Sequence, residues 1–540
     1  MAWHHSFVVV FASFPILHIA SGNLGQVPLD AFWLAMGVSA IAAVALTVML
    51  RSIARSWAHA ACAGAVLIGL FYSYGPVHGW IESSLFQLAE RGSASAENAS
   101  YRLHSWMTPT YLIAAVAVTW FVCRRWKGPA PRLLSALNVV ALLLVTFPVL
   151  QILTAAGADH AAGSESKAAD DITTLEAVPR GGSTGQSVLG YRPDIYYVIL
   201  DGYARADVLE RYYGYDNQAF IEELQHLGFQ VDAASFANYY WTFLSLASSL
   251  NMNYLQDLFG TKLQPGSTDR ASVYEAIRDN EIARFLRARG YRIVHFRSTW
   301  GATLANPYAD QQIECHSGIF QQEFYRVLAD ATWLKALQAH ASGDLARCHL
   351  SNLDTLAAMG AKAGPKFVFA HFLPPHHPYL FDQDGGIRRN ATLSDQFEFQ
   401  KRLWEKRDLY VEQLRYMNKR IAQAVGRILQ ESPRPPIIVI QSDHGPQLSV
   451  GITNPERIRI RLANLAAVHA PGASGLMPQG GSPVNQFRLI LSHYFGADLP
   501  PLEQRHYRSD FRTPYDFVTV SPSDPGDRAQ QHSSALIQRQ

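Results

Sequence analysis

The sequence predicts an α/β domain, with a mostly parallel central sheet flanked by helices, preceded by an all-α transmembrane bundle of about five helices. Three observations carry this. Long apolar stretches crowd the first third of the chain. From Asp194 onward, short β-branched runs alternate with helical patterns, the signature of parallel strands with helical crossovers. The three strongest apolar runs each end in Asp or His, at the strand end where open α/β sheets bind ligands.

The membrane part comes first. Mean hydropathy over the whole chain is −0.03, an average of a strongly apolar beginning and a polar remainder. Apolar stretches cover Phe7–Ala20, Ala31–Leu50, Ala58–Tyr74, Tyr111–Val122 and Leu133–Leu153. A span needs about 20 apolar residues, and semi-polar flanks extend the shorter ones. Phe7–Ala20 also has the length of a signal-sequence core. Its flank carries His4-His5 rather than Lys or Arg, and four further stretches follow, so it reads as the first of five spans. Arg51 and Arg55 lie between spans two and three, and Arg124, Arg125, Lys127 and Arg132 between spans four and five. The connection Ser21–Asp30 has no basic residue. The positive-inside rule makes the basic loops cytoplasmic. An odd number of spans then delivers everything after about Ala155 to the extracytoplasmic (periplasmic) side of the inner (plasma) membrane. The lipid bilayer is the expected partner. A net charge of +2 over 540 residues gives no electrostatic footprint for nucleic acid.

The expected organisation is a transmembrane domain over 1–155, a flexible linker over 156–191, an extracytoplasmic catalytic domain over 192–520 and a disordered tail over 521–540. The linker and tail are polar and lack periodicity. Cys62 and Cys123 fall in or beside spans. Cys315 and Cys348 are the only two in the soluble part, and an oxidising compartment makes a bridge between them an expectation, with two buried thiols the alternative.

Within the soluble part, Ile195–Leu200 reads as a strand ending at Asp201-Gly202. A helix follows near Asn217–Leu227, and another at Ile282–Arg289 closed by Gly290, leading into a strand at Tyr291–Phe296. Lys366–Ala370 is a strand ending at His371. A long amphipathic helix over about Ser394–Glu431 precedes the strand Ile437–Ile440, which ends in Ser442-Asp443-His444-Gly445. A carboxylate beside an imidazole suits Zn²⁺ or Mn²⁺, although an isolated Asp-His pair is equally an ordinary turn. The stretch Asn238–Asn251 runs from a polar-aromatic segment into a helix and places Thr242 at its start. There unpaired N–H groups and the positive dipole end would favour an alkoxide and a phosphate. Thr242 could instead serve only as an N-cap, and Ser245, one turn on, is the reserve nucleophile.

Asp201, Thr242 and Asp443-His444-Gly445 together resemble the alkaline phosphatase and sulfatase superfamily. With the membrane anchor, the chain is similar to lipoteichoic acid synthases and phosphoethanolamine transferases. The resemblance covers about Arg192 to Phe517. It implies Asp201, Thr242, Asp443 and His444 as ligands of one divalent metal ion (Mn, Zn, Mg or Ca), with Thr242 as the attacking group. Pro375-His376-His377-Pro378 looks like the Pro-His-x-Pro segment whose histidine contacts the transferred group. That gives His376 a catalytic role, and His371, His377 and His469 are substrate-binding candidates. His469 is also readable as a structural histidine.

Departures from the family pattern narrow the chemistry. Thr242-Phe243-Leu244-Ser245-Leu246 lacks the Cys/Ser-x-Pro-x-Arg motif that yields formylglycine, which threonine cannot become. No copy of the Asp-x-x-x-His set of two-metal members lies near His371, so one metal is expected. The resulting reading is a metal-dependent phosphoryl-group transferase or phosphodiesterase acting on a phospholipid or envelope glycan. The alternatives are a sulfate or phosphate monoester hydrolase and a non-catalytic envelope scaffold. Tyr203, Arg205, Asp207 and Asn485 are weaker pocket candidates. His316 and His349, beside the cysteines, lack the close Cys spacing of structural zinc sites.

Overall fold

The computed structural model describes residues 5–21, 29–89, 97–128, 131–166, 190–314, 323–335, 341–388, 407–447, 454–511 and 513–521. The chain divides into two compact units, Met1–Asp170 with Ile319–Ala341, and Asp171–Gly318 with Ser342–Gln540.

The first unit contains α1 (Phe7–Ser21), α2 (Leu29–Arg51), α3 (Trp57–Ala89), α4 (Glu97–Trp120) and α5 (Pro131–Ser166). Four stretches, Phe32–Arg51, Trp57–Ile81, Ser105–Arg125 and Pro131–Thr154, are long and apolar enough to cross a membrane. The fifth expected span, α1, is a shorter apolar helix and lies against α2, α3 and α5, with Phe7 and Val8 fully buried. By contrast, Trp33, Ile41, Met49, Ile113, Val116, Leu143 and Phe147 on the longer helices are exposed, an apolar surface of the kind that marks contact with a membrane or a partner. The linker expected from 156 is helical as far as Ser166, because α5 runs on past its apolar stretch. The residues after it to 189 lie outside the described ones, as does the tail from 522.

A segment that the sequence reading assigns to the soluble part also belongs to this unit. Helix α12 (Glu323–Asp330) packs Phe324, Tyr325 and Leu328 against Ile16, Leu17, Ala20, Phe32 and Ala35. Trp333 packs against Tyr74, Leu103 and Met107. Gly75 permits this approach, since a Cβ there would stand 1.9 Å from the Asp330 carbonyl oxygen.

The second unit is built on a seven-stranded sheet, ordered β2-β7-β6-β1-β5-β3-β4. Its strands are β1 (Ile195–Leu200), β2 (Gln230–Val231), β3 (Arg292–Phe296), β4 (Gln311–Ile313), β5 (Lys366–Phe372), β6 (Ile437–Gln441) and β7 (Ala466–His469). β6, β1, β5, β3 and β4 run parallel, whereas β7 is antiparallel to β6 and β2 to β7. The central strands are apolar on both faces, and alternate residues enter two different cores. Ile195, Tyr197, Ile199, Ile437 and Val439 face one core. Tyr196, Val198, Leu200, Ile438 and Ile440 face the other. The first core is covered by α8 (Thr242–Asn251), α10 (Ala271–Arg278), α11 (Glu281–Arg287) and the helix Pro483–Phe495. The second is covered by α6 (Ala206–Tyr213), α7 (Gln218–His226), α13 (Ala341–Ala357) and the helix Arg407–Glu431. Register places Leu200 beside Phe372 and Ile199 beside Gln441, so the segments after β1, β5 and β6 emerge on one edge of the sheet. The long helix is described from Arg407; its expected beginning at Ser394 lies outside the described residues.

Candidate metal centre

At that edge, Asp201, Asp443 and His444 each offer a ligand atom within 4.8 Å of the others, the one such group among the described residues. All three are buried. Asp201 Oδ1 and Asp443 Oδ2 are buried without a hydrogen-bond partner. Buried carboxylate oxygens left unpaired are strongly unfavourable, and a divalent cation would satisfy both at once. The donor set therefore fits the metal that the sequence implies.

Thr242 is the first residue of α8, with Trp241 as its N-cap and no side-chain cap. The hydroxyl is thus not spent on capping. Oγ1 lies 3.0 Å from His444 Nε2, which in turn is 3.1 Å from Asp443 Oδ2 and 3.9 Å from Asp201 Oδ1. Ser245, the reserve nucleophile, is buried and donates its hydroxyl to the Asp443 carbonyl at 2.7 Å, a packing role.

The imidazole tautomer follows from its partners. Arg461 Nη2, which can only donate, reaches His444 Nε2 at 2.8 Å. Nε2 therefore presents a lone pair, and Nδ1 carries the proton and donates to the Gly445 carbonyl at 3.0 Å. This is the tautomer a metal-binding nitrogen requires.

Two glycines make the loops possible. Gly202 has φ +65°, a left-handed conformation unfavourable to other residues, and its amide donates to Asp443 Oδ1 at 3.1 Å. Gly445 adopts no such φ. It is glycine because a Cβ would stand 2.0 Å from the Ile460 carbonyl oxygen and 2.8 Å from that of Ala463. Its role is to permit a close backbone approach, not a left-handed turn.

The histidines divide into two groups. His371 Nε2 stands 3.4 Å from Asp201 Oδ2, its Nδ1 hydrogen bonds with Thr303 Oγ1 at 2.9 Å, and Trp300 meets its ring edge-on at 5.6 Å. The His376 amide donates to the Asp201 carbonyl at 3.0 Å. Its ring is tied by Nδ1 to the His377 carbonyl at 2.7 Å, and the two imidazoles lie 4.0 Å apart, tilted by 30°. His469 is not brought here. β7 runs antiparallel to β6, so its last residue pairs with Ile438, near the opposite edge, and Nδ1 binds the Pro436 carbonyl at 2.8 Å.

Burial opposes ionisation of both carboxyls, with different outcomes. At Asp201 it is more than offset by His376, His371 and His444, and the group is held well below the usual carboxylate range. At Asp443, burial and the neighbouring Asp201 charge push the carboxyl up to about 6. Burial, followed by Arg461, pushes His444 well below its ordinary value.

Several residues of this constellation were not singled out in the sequence. Arg461 is on the helix Asn454–Leu462. Gln413, fully buried on Arg407–Glu431, holds the histidine loop by donating Nε2 to the carbonyls of His376 at 3.0 Å and Pro375 at 3.2 Å. Tyr410, on the same helix, donates to the Gly202 carbonyl at 2.9 Å and accepts from the Ala204 amide at 3.0 Å. Asn464 supports the Asp-His loop through the Ser442 carbonyl at 2.6 Å. Among the weaker candidates, Arg205 pairs with Asp207 at 2.7 Å and Asn485 Nδ2 binds the Leu502 carbonyl at 2.8 Å; both are scaffold contacts. Cys348 is buried and disulfide-bonded; Cys315 and His316 lie outside the described residues.

Residues 193–535 match the family model described as Sulfatase. The chain belongs to the sulfatase family. The match spans the whole sheet and includes Asp201, Thr242, Asp443 and His444. No curated protein matches the chain. Among solved structures, this sulfatase-family chain is similar to the C-terminal periplasmic domain of EcEptC from Escherichia coli, at 14% identity and TM-score 0.42, covering 63% of this chain and 96% of that one. The lipoteichoic acid synthase LtaP from Listeria monocytogenes matches at 11% identity and TM-score 0.37, covering 68% and 97%. The phosphonate monoester hydrolase of Agrobacterium radiobacter matches at 13% identity and TM-score 0.37, covering 59% and 80%.

Proposed function

We propose that this chain is a membrane-anchored, divalent-metal-dependent phosphoryl-group transferase or phosphodiesterase acting on a cell-envelope lipid or glycan through Thr242. The observation that supports it is the placement of Thr242 Oγ1 at the start of α8, 3.0 Å from His444 Nε2, beside two buried carboxylate oxygens that lack partners. A hydroxyl needs such surroundings to become a nucleophile.

In this reading Asp201, Asp443, His444 and Thr242 hold one divalent cation, of the Mn, Zn, Mg or Ca class. When bound, it neutralises charge on the phosphoryl oxygens and lowers the pKa of the threonine hydroxyl. Thr242 Oγ1 gives its proton to solvent and bonds to phosphorus, while the phosphorus–oxygen bond to the departing alcohol breaks. His376 donates a proton to that leaving oxygen from Nε2, since Nδ1 is tied to the His377 carbonyl. Water, or a sugar or lipid hydroxyl, then attacks the same phosphorus and releases Thr242. The dipole of α8 favours the anionic group throughout. His371 and His377 would line the bound headgroup. The apolar helices would anchor the chain with the basic loops on the cytoplasmic face and the catalytic unit outside, where a Cys315–Cys348 bridge would form.

Incubating the full chain with phospholipid vesicles tests this. Thr242→Ala should abolish headgroup release, and Thr242→Ser should retain part of it with a labelled phosphoserine trapped on the protein. Undiminished turnover by Thr242→Ala would overturn the assignment. Absence of bound metal, with no thermal shift on adding Mn²⁺ or Zn²⁺, would favour a non-catalytic scaffold instead.

A further inference from the structure

Arg461 is a charged group of the metal centre that the reaction above does not use. It is buried, and its fork is fixed on two sides. Nε donates to the Tyr240 carbonyl at 2.8 Å and Nη1 to the Gly445 carbonyl at 3.0 Å. The guanidinium lies 5.3 Å from the Trp241 ring and 6.0 Å from that of Tyr240. So held, it aims Nη2 at His444 Nε2, 2.8 Å away. That nitrogen has a single lone pair, which Thr242 Oγ1 also approaches, at 3.0 Å.

A divalent cation ligated by His444 would take this lone pair. Nη2 would then be a buried, charged donor deprived of its acceptor, which is strongly unfavourable. Charge points the same way. A divalent cation set beside the Arg461 guanidinium concentrates positive charge at the centre, which an anionic ligand offsets. One partner removes both defects: an anionic group seated between the cation and Nη2.

We infer that Arg461 is the anion-contacting residue of the centre, and that the group it receives is a phosphodiester. Its two nonbridging oxygens share one negative charge, one facing the cation and the other Nη2. A sulfate monoester offers similar oxygens, but Thr242 cannot supply the formylglycine route. A guanidinium can keep Nε and Nη1 on the Tyr240 and Gly445 carbonyls while Nη2 meets the phosphate oxygen, which the single nitrogen of an ammonium cannot do. The inference rests on the phosphoryl-transfer reading, takes over its diester substrate, and adds to it the residue that meets the anion.

Because cation and anion each relieve the strain the other leaves, their binding must be reciprocally coupled. The test is calorimetric titration of the full chain in detergent with Mn²⁺, with and without saturating dimethyl phosphate as a diester probe. In the wild type the diester should tighten Mn²⁺ binding by about tenfold or more. In Arg461→Gln, Mn²⁺ alone should bind at least as tightly as in the wild type, since a like charge has gone, and the diester should change its affinity by less than about twofold. Arg461→Lys keeps the charge but not the fork, and should retain only part of the coupling. This variant decides the matter should the glutamine one not fold. Coupling of undiminished size in either variant, or its absence in the wild type, overturns the inference while leaving metal-dependent chemistry standing. Failure of wild-type protein to bind Mn²⁺ or Zn²⁺ at all overturns both.

Discussion

Gly445→Ala should damage the protein far beyond the cost of one methyl group. The added Cβ would stand 2.0 Å from the Ile460 carbonyl oxygen and 2.8 Å from that of Ala463. Ordinary carbon–oxygen contacts run at about 3.3–3.6 Å, so one backbone must move by more than about 1 Å. Both obstructing atoms are main chain, and no rotamer change relieves them. Forced overpacking costs about 1–3 kcal/mol, and backbone against backbone belongs at the upper end. In a unit of about 350 residues each kcal/mol lowers Tm by about 1.4 °C, giving a fall of about 4 °C. The displaced loop and helix carry His444 and the Arg461 carbonyl, which accepts the Gly445 amide at 2.7 Å. Metal affinity should therefore drop by about tenfold or more. Gly426→Ala is the control. It lies inside the helix Arg407–Glu431, with only Leu227 Cδ2 near its Cβ position, at 3.8 Å, and should stabilise by about 0.5–1 kcal/mol. Thermal unfolding and Mn²⁺ titration of both variants provide the readout. A Gly445→Ala protein that melts with the wild type and binds Mn²⁺ equally well would refute the close-approach explanation.

Two further outcomes concern the fold that carries the site. Lys366 is fully buried and ion-paired with Asp194, and also donates to the Lys362 carbonyl at 2.8 Å. Lys366→Ala should cost about 3–5 kcal/mol by leaving a carboxylate unpaired. Asp354→Ala, which breaks the pair with Arg420 where the aspartate side chain is 74% exposed, should cost less than about 1 kcal/mol; equal shifts in urea midpoint would contradict this. Burial, with a smaller contribution from His371, pushes His349 down to about 3. The unfolded chain therefore takes up a proton that the folded one refuses. The stabilising contribution is full above the ordinary histidine value near 6.5 and is lost as pH falls from there towards about 3. His349→Gln should show a shallower loss of Tm over that window, and parallel curves would rule the linkage out.

The legible parts of the sequence were those with a strong local cause. Ile195–Leu200 appears as the strand the reading drew, and Ile437–Ile440 gains only Gln441, because an uninterrupted β-branched run has few other homes. Asp201, Thr242, Asp443 and His444 were legible because they follow such strands or open a helix. Gln413 and Tyr410 left a fainter trace: they occupy the inward stripe of their helix beside Leu414, Met417 and Ile421, where a buried polar group needs a partner. Arg461 left almost none, since the helix Asn454–Leu462 carries three arginines and periodicity does not say which is buried. His469 shows the opposite limit. Its local sequence leaves a ligand and a structural histidine both open, and only the antiparallel direction of β7, which it closes, sets it near the far edge of the sheet.

By itself, the sequence determined that apolar helices precede an α/β unit, that chemistry-bearing side chains lie at strand ends, and that threonine stands where formylglycine chemistry would need another residue. These are properties of short stretches, set by side-chain volume, hydropathy and local hydrogen bonding. Tertiary structure alone decided that α12 returns to the unit of apolar helices, that His444 Nε2 offers its lone pair to the centre, and that Arg461 stands against it. Those facts depend on which surfaces meet across hundreds of residues, and on lone pairs and donors that count only once their partners are in place.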